Sequence, residues 1–493
     1  MGEAGHSRLF GTDGVRGVAG EDLTARLAVD LSQAAAAVLA GDAGHLGHDS
    51  QAADDSQAGH DSHAGAARPL AVVGRDPRLS GEFLEAAVVA GLASAGVDVL
   101  RLGVLPTPGV AYLTAALRAS FGAVISASHN PARDNGIKFF GPGGVKLADE
   151  VEDQIEARLR ALPCTSEAHR EGHAGHKAHE GPDNPGNRTF GRVADATAEH
   201  ARYLEHLLTT LPAQPQPPLA GLRVVADCAH GAAYQIAPQA LRRAGADVIT
   251  IGDQPDGLNI NVGCGSTALD ALAAAVIKHG ADAGIAYDGD ADRCLAVDAD
   301  GQPIDGDQIM TMLALELKEA GRLAGDAVVV TVMSNQGFHV AMREAGIAVI
   351  ETPVGDKHVS AAMRDGGYVL GGEQSGHIIV GEHATTGDGV LTSLQLLAAV
   401  NRRGVPMAAA AKMMPKYPQV LVNVPGRAAQ LGPGVDAAVG RAQAELGDDG
   451  RVLVRPSGTE PIIRLMIQAR DSALAERVIS QLADEVRLAL AGQ

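Results

Sequence analysis

Three aspartates stand at alternate positions, Asp288, Asp290 and Asp292, directly after the apolar stretch GIAY and before Arg293. Carboxylates this close repel one another unless a cation sits among them, and their oxygens suit a hard ion such as Mg²⁺ or Ca²⁺. An EF-hand loop also begins DxDxD, but it needs glycine at its sixth position and glutamate at its twelfth. Arg293 and Ala299 stand there, so a metal loop of another kind is expected. A second group, Ser126-Ala127-Ser128-His129-Asn130-Pro131, follows FGAVI. A serine just past a strand end is presented to a cleft in an α/β domain; as a string alone it fits an ordinary polar turn equally well. A glycine-rich loop, Gly371-Gly372-Glu373-Gln374-Ser375-Gly376-His377, offers groups suited to sugar hydroxyls. Arg455-Pro456-Ser457-Gly458-Thr459-Glu460-Pro461, with Arg464 beyond, gathers the hydroxyls, backbone N–H groups and arginines that a phosphate monoester needs. Its plain alternative is a tight turn between strands. FGTDGVRG and DNGIK add one cation each, Arg16 and Lys138.

The elements that must position these loops follow a repeated cadence. Residues 70–103, 222–252 and 327–353 each read as a β-branched strand, a loop, a helix ending in Ala-Gly, and a second strand. Continuous apolar strands of this kind are covered on both faces, and each glycine falls where a left-handed helix cap is needed. Beyond residue 415 the order is strand, helix, two strands, helix, which fits a smaller antiparallel α+β domain. The expected fold class is α/β: three related α/β domains, then a smaller C-terminal α+β domain, around a central cleft. The domains are drawn at 1–192, 193–306, 307–414 and 415–493. The first carries insertions at 41–67 and 165–190, rich in Gly, Ala, His and Asp and too poor in large apolar residues to offset their ordering entropy.

Composition narrows the function classes. At 493 residues, 46% of them apolar, the chain exceeds a single core. A net charge of −19 argues against nucleic-acid binding. There is no apolar run of the ~18 residues a membrane span requires, and MGEAGHSRLF lacks a basic stretch followed by an apolar one, so no secretory signal is expected. Cys164, Cys228, Cys264 and Cys294 form no CxxC pair and suit a reducing, cytoplasmic compartment.

Taken in this order, FGTDGVRG, ISASHNP with DNGIKFF, the DGDADR loop, GEQSGH and RPSGTEP resemble the α-D-phosphohexomutase superfamily, and within it the phosphoglucosamine mutases. The resemblance covers the chain apart from the insertions. It implies a heart-shaped molecule whose four domains each give one loop to one cleft. It implies Ser128 as the phosphoserine, with Ser126 supporting the loop, and Asp288, Asp290 and Asp292 as ligands of one Mg²⁺ per subunit completed by an oxygen on Ser128. Arg16, His129, Lys138 and Arg293 match groups around the transferring phosphoryl. Glu373, Ser375 and His377 match sugar contacts; Arg455, Ser457, Gly458, Thr459 and Arg464 match the clamp on the phosphate that is not reacting. Residues Thr352 to His358 resemble a specificity loop. The implied reaction interconverts glucosamine 6-phosphate and glucosamine 1-phosphate through a 1,6-bisphosphate, with a hexose 1,6-bisphosphate primer, feeding UDP-N-acetylglucosamine and cell-wall precursors. Lys138 and His377 are the candidate general bases, and the last domain is expected to move. The molecule is expected to be a monomer or homodimer that binds a sugar phosphate and no membrane.

Rival readings are a phosphomannomutase or phosphoglucomutase, a Mg²⁺-dependent phosphatase, and a non-catalytic sugar-phosphate-binding or metal-buffering protein. The insertions hold His45, His48, His60, His63, His169, His173, His176 and His179, several spaced HxxH. That spacing places two ligands on one face only in a helix, which glycine-rich stretches disfavour, so solvated loops are expected ahead of weak transition-metal binding.

Overall fold

The computed structural model describes residues 8–11, 13–41, 68–162, 190–212, 215–427, 430–457 and 461–491. The two insertions, apart from their end residues Gly41 and Phe190, lie outside the described residues, as do Gly458 and Thr459.

The repeated cadence folds as three parallel βαβ units. Leu70–Arg75 pairs with Asp98–Val104 across the helix Gly81–Ser94. Arg223–Asp227 pairs with Asp247–Ile251 across Ala233–Arg243, and Ala327–Thr331 with Ala348–Thr352 across Gln336–Glu344. The first strand of each unit is buried through its centre, at Val72 and Val73, Val224 and Val225, and Val328 to Val330, as a strand covered on both faces must be. Gly96, Gly245 and Gly346, just past the helices, have φ of 88°, 106° and 65°; a β-carbon there would be strained.

Around these units grow three mixed sheets. The first runs Val15–Val18, Asp134–Phe140, Phe121–Ile125, Leu70–Arg75, Asp98–Val104, Val193–Asp195. Its last strand lies just past residue 192, where the sequence suggested a boundary. The second runs Pro303–Ile304, Cys294–Asp298, Ala283–Tyr287, Arg223–Asp227, Asp247–Ile251; the third, Ala348–Thr352, Ala327–Thr331, Leu370–Gly372, Ile378–Val380. The last sheet is antiparallel, Gln419–Pro425 and Arg451–Pro456 flanking Ile462–Gln468.

One buried cluster runs through all three α/β sheets, from Val72 and Tyr203 through Tyr287 to Val330 and Leu394, so they form one body. The last sheet has a separate core of Val424, Ile463, Leu465 and Val486. It is tied to the third sheet by polar contacts: Asn335 Nδ2 donates to Tyr417 O at 2.9 Å and Gln336 N to Gln468 Oε1 at 2.6 Å. Among the described residues no helix is long and apolar enough to cross a membrane.

Candidate active site

The strand Phe121–Ile125 delivers the chain to Ser128, which is 2% exposed with φ of 51°. That left-handed conformation costs an L-residue about 1 kcal/mol or more, so neighbours must impose it. The Ser128 N–H donates to Ser126 Oγ at 2.9 Å, and that hydroxyl donates to Asp76 Oδ2 at 2.6 Å. The Ser128 carbonyl accepts from Arg78 Nη2 and from Asn261 Nδ2, both at 2.9 Å. With its backbone fixed on both sides, Ser128 Oγ donates to Asp288 Oδ2 at 2.5 Å. His129 Nδ1 lies 3.4 Å from the same hydroxyl. Burial, with Arg293 and Arg16 close by, holds the His129 imidazole below its usual pKa and hence neutral.

Asp288, Asp290 and Asp292 follow the buried strand Ala283–Tyr287, and one carboxylate oxygen from each lies within 4.8 Å of the other two. Asp290 Oδ2 accepts from Lys138 Nζ at 2.8 Å and from Thr107 Oγ1 at 2.6 Å. Asp290 Oδ1 and Asp292 Oδ1 are buried without a hydrogen-bond partner. Burial, then Asp292 and Asp290, push the Asp288 carboxyl well above the usual range: crowded carboxylates cannot all stay ionised without a cation. An all-carboxylate set with two orphaned buried oxygens fits a hard divalent ion.

The cations around the triad form an alternating chain. Lys138 Nζ also lies 3.1 Å from Asp13 Oδ2; Asp13 pairs with Arg16 at 2.8 Å and with Lys146 at 3.3 Å, and Lys146 in turn pairs with Asp356. Burial alone would lower the Lys138 pKa, but Asp13 and Asp290 raise it far above the ordinary lysine value. Arg293 N donates to Asp288 Oδ1 at 3.2 Å, and Arg293 forms an antiparallel bridge with His377. His377 Nδ1 lies 3.4 Å from Asp292 Oδ2, while its Nε2 accepts from Gly387 N at 3.0 Å. Glu373 Oε1 accepts from Gly355 N at 3.2 Å, and Glu373 Oε2 from Ser375 Oγ at 3.3 Å. The residues singled out in the first three domains are thus gathered into one constellation.

The expected phosphate clamp is partly described. Arg455 and Arg464 face one another across adjacent strands and, with Met333 and Asn423, line a cavity of about 210 Å³. Ser457 N donates to Ile462 O at 2.8 Å. Sequence reasoning passed over Asp13, Asp76, Arg78, Thr107, Lys146 and Asn261. Asp13 stood inside a quoted motif, and Asp76 and Arg78 form a charged RDPR string at a strand end; nothing local marked Thr107 or Asn261.

Known proteins align with this geometry. Models of phosphoglucomutase/phosphomannomutase match in order: alpha/beta/alpha domain I over residues 56–163, domain II over 201–301, domain III over 305–417, and the C-terminal domain over 407–485. The chain is 59% identical to the phosphoglucosamine mutase of Thermobifida fusca, covering 98% of each chain. It is 55% identical to that of Streptomyces griseus, covering 98% of this chain and 99% of the relative. A phosphoglucomutase/phosphomannomutase family protein from Burkholderia thailandensis shares the fold at a TM-score of 0.75 and 23% identity, over 99% of this chain and 98% of that one. An N-acetylphosphoglucosamine mutase from Aspergillus fumigatus, solved with GlcNAc-6P and magnesium, does so at 0.56 and 22%, over 78% and 92%. With its fold, its loop order and its near full-length identity to these relatives, the chain belongs to the phosphoglucosamine mutases, a branch of the phosphoglucomutase/phosphomannomutase family.

Proposed function

We propose that the chain interconverts glucosamine 6-phosphate and glucosamine 1-phosphate in the cytoplasm, with Ser128 as the phosphoryl carrier. The observation that carries this reading is Ser128 Oγ set 2.5 Å from the first aspartate of a buried carboxylate triad. In the proposed cycle phospho-Ser128 gives its phosphoryl to O1 of glucosamine 6-phosphate, forming the 1,6-bisphosphate and a free serine hydroxyl. The bisphosphate turns in the cleft, and Ser128 takes the phosphoryl from O6, releasing glucosamine 1-phosphate and restoring phosphoserine. A hexose 1,6-bisphosphate primes serine that has lost its phosphoryl.

Phosphoryl transfer needs position and charge neutralisation more than covalent chemistry. Asp288, Asp290 and Asp292 would hold Mg²⁺, which supplies positive charge beside the transferring group. Arg16, Arg293 and Lys138 add fixed cations where the equatorial oxygens gather charge. Lys138, held as a cation between two carboxylates, suits this electrostatic role and not that of a general base; His377, buried with Nε2 accepting from Gly387 N and Nδ1 facing Asp292, is engaged on both ring nitrogens and suits holding the Asp292 carboxylate in place. Glu373 and Ser375 bind sugar hydroxyls in either orientation, and Arg455 and Arg464, with Ser457, Gly458 and Thr459, hold the phosphate that is not reacting. Turning the bisphosphate requires that clamp to release, so the last domain swings on its polar contacts with the third.

The test is a coupled assay of glucosamine 6-phosphate, glucose 6-phosphate and mannose 6-phosphate, with Mg²⁺ and glucose 1,6-bisphosphate. Preference for the glucosamine ester, abolished by a chelator, is expected. Preference for either other ester would overturn the substrate assignment while keeping the phosphoserine chemistry. Release of inorganic phosphate without isomerisation would replace the mutase by a phosphatase.

A further inference from the structure

Arg78 is the largest fully buried side chain described, and its side-chain hydrogen bonds go to Asp76 and to backbone carbonyls. Its Nε donates to Asp76 Oδ2 at 2.9 Å. One terminal nitrogen reaches Ser128 O at 2.9 Å and Asn130 O at 2.8 Å. The other reaches Pro131 O and, at 3.0 Å, Asp134 O. A guanidinium has five N–H donors in a fixed fork; here one meets a carboxylate and four meet carbonyls of the serine loop. Burying a charge so completely is costly, and packing alone would be served by an apolar side chain. What only the fork supplies is a rigid template for four carbonyls at once.

A second hand closes on the same loop from the neighbouring sheet. Asn261 Nδ2 donates to Ser128 O at 2.9 Å and to Asn130 O at 3.2 Å. These are two of the carbonyls Arg78 holds, reached from another domain. Backbone strain is concentrated at this junction: five of the seven described non-glycine residues with positive φ are Ser128, Ala229, His230, Asn261 and Ala291. Their loops are stitched together, Asn261 N donating to Ala229 O at 2.9 Å and Ala232 N to Gly289 O at 2.8 Å. Strain that persists in a fold is imposed by its surroundings and gathers where geometry matters to function.

We infer that Arg78 and Asn261 are positioning residues for phosphoryl transfer: by gripping the Ser128 and Asn130 carbonyls from two domains, they hold Ser128 in its left-handed conformation and aim its Oγ at the metal loop. The inference rests on the phosphoserine reading. Because the grip acts on the serine and not on the sugar, its loss lowers kcat and the rate of serine phosphorylation while leaving KM unchanged.

The experiment uses the full-length enzyme as N261A, R78K and the charge-neutral pair D76N/R78M, which leaves no buried carboxylate unpaired. Melting by circular dichroism establishes folding. Two rates are then compared with wild type: turnover of glucosamine 6-phosphate, and uptake of phosphoryl on Ser128 from glucose 1,6-bisphosphate, followed by mass spectrometry. Folded N261A and R78K are expected to lose about 10- to 100-fold in both rates with KM within about twofold, the scale of a misplacement near 1 Å. Should R78K not fold, N261A and the neutral pair decide. Wild-type uptake and kcat in the folded variants would overturn the inference, as would a raised KM with unchanged kcat, which would mark a substrate contact instead. A wild-type chain that takes up no phosphoryl on Ser128 would overturn the phosphoserine reading and this inference with it, whereas wild-type uptake beside unimpaired variants overturns this inference alone.

Discussion

Lys138 lies between Asp13 and Asp290 with only 5% of its side chain exposed. Replacing it by methionine leaves two carboxylates facing each other without the intervening cation, so K138M should unfold more easily, by about 3 kcal/mol. It should also lose at least about 100-fold in kcat, because the fixed cation proposed to face the transferring phosphoryl is gone. Chemical denaturation and steady-state kinetics of K138M check the two halves separately. The two serines differ in kind. Ser128→Ala removes the atom proposed to carry the phosphoryl and should cost at least about 10⁴-fold in turnover, on the scale of deleting a nucleophile. Ser126→Ala removes the acceptor for the Ser128 N–H and the donor to Asp76, at about 1 kcal/mol for each hydrogen bond, so roughly 5- to 30-fold in rate. Full activity in S128A, with phosphate found on Ser126 by peptide mapping, would exchange their roles.

At the scale of elements, the aspartate loop Asp288–Asp292 and the serine loop are packed backbone to backbone. A β-carbon on Gly289 would stand 2.5 Å from Ser128 O and 2.8 Å from Asn261 Nδ2. Gly289→Ala therefore pushes the two loops apart, also meeting the buried Ile260 Cδ1 at 2.9 Å, and should fall about 100-fold in kcat. The start of the helix Gly306–Glu319 gives a different kind of prediction. Asp305 caps it, and the next carboxylate, Asp307, is fully buried and accepts from Asn335 N at 2.7 Å. Burial, with Asp305 adding to it, pushes the Asp307 carboxyl up to about 7. A raised acid pKa means the native state holds its proton more tightly, so its contribution is complete below the unfolded value near 4 and is lost as pH rises through about 7. The melting temperature of D307N relative to wild type should thus increase between pH 5 and pH 8. A difference independent of pH would show that Asp307 titrates as an ordinary carboxyl.

For the whole molecule, the contrast is between a continuous three-sheet body and a last domain with its own core. Asn335 holds the junction, accepting from Tyr417 N at 3.0 Å as well as donating to Tyr417 O. The Ser128 and aspartate loops lie wholly within the body, so changes in the last domain should spare the proposed phosphorylation of Ser128. Arg455→Ala is expected to raise KM for glucosamine 6-phosphate about 10- to 100-fold, the value of charge-assisted hydrogen bonds to a phosphate. Phosphoryl uptake on Ser128 from a small donor such as acetyl phosphate should meanwhile hold at the wild-type rate. Equal loss of both would place Arg455 in the reacting site and not in the clamp.

The chain by itself determined the three βαβ units, because buried parallel strands must be continuously apolar and helices must end on residues tolerant of positive φ; Val72, Val224 and Val328 and the caps at Gly96, Gly245 and Gly346 were legible for that reason. It also marked the Asp288, Asp290 and Asp292 loop, since three carboxylates at alternate positions imply a cation wherever they fold, and a family resemblance singled out Ser128. The tertiary structure alone decided what holds those groups in place. Arg78 lies 50 residues from Ser128 in sequence, Asn261 lies 133, and Lys138 lies 152 from Asp290. Hydrogen bonds and ion pairs act over about 3 Å of space and have no period along the chain. Periodicity therefore reveals the elements, while the partners that orient a reacting group appear only when the sheets are brought together.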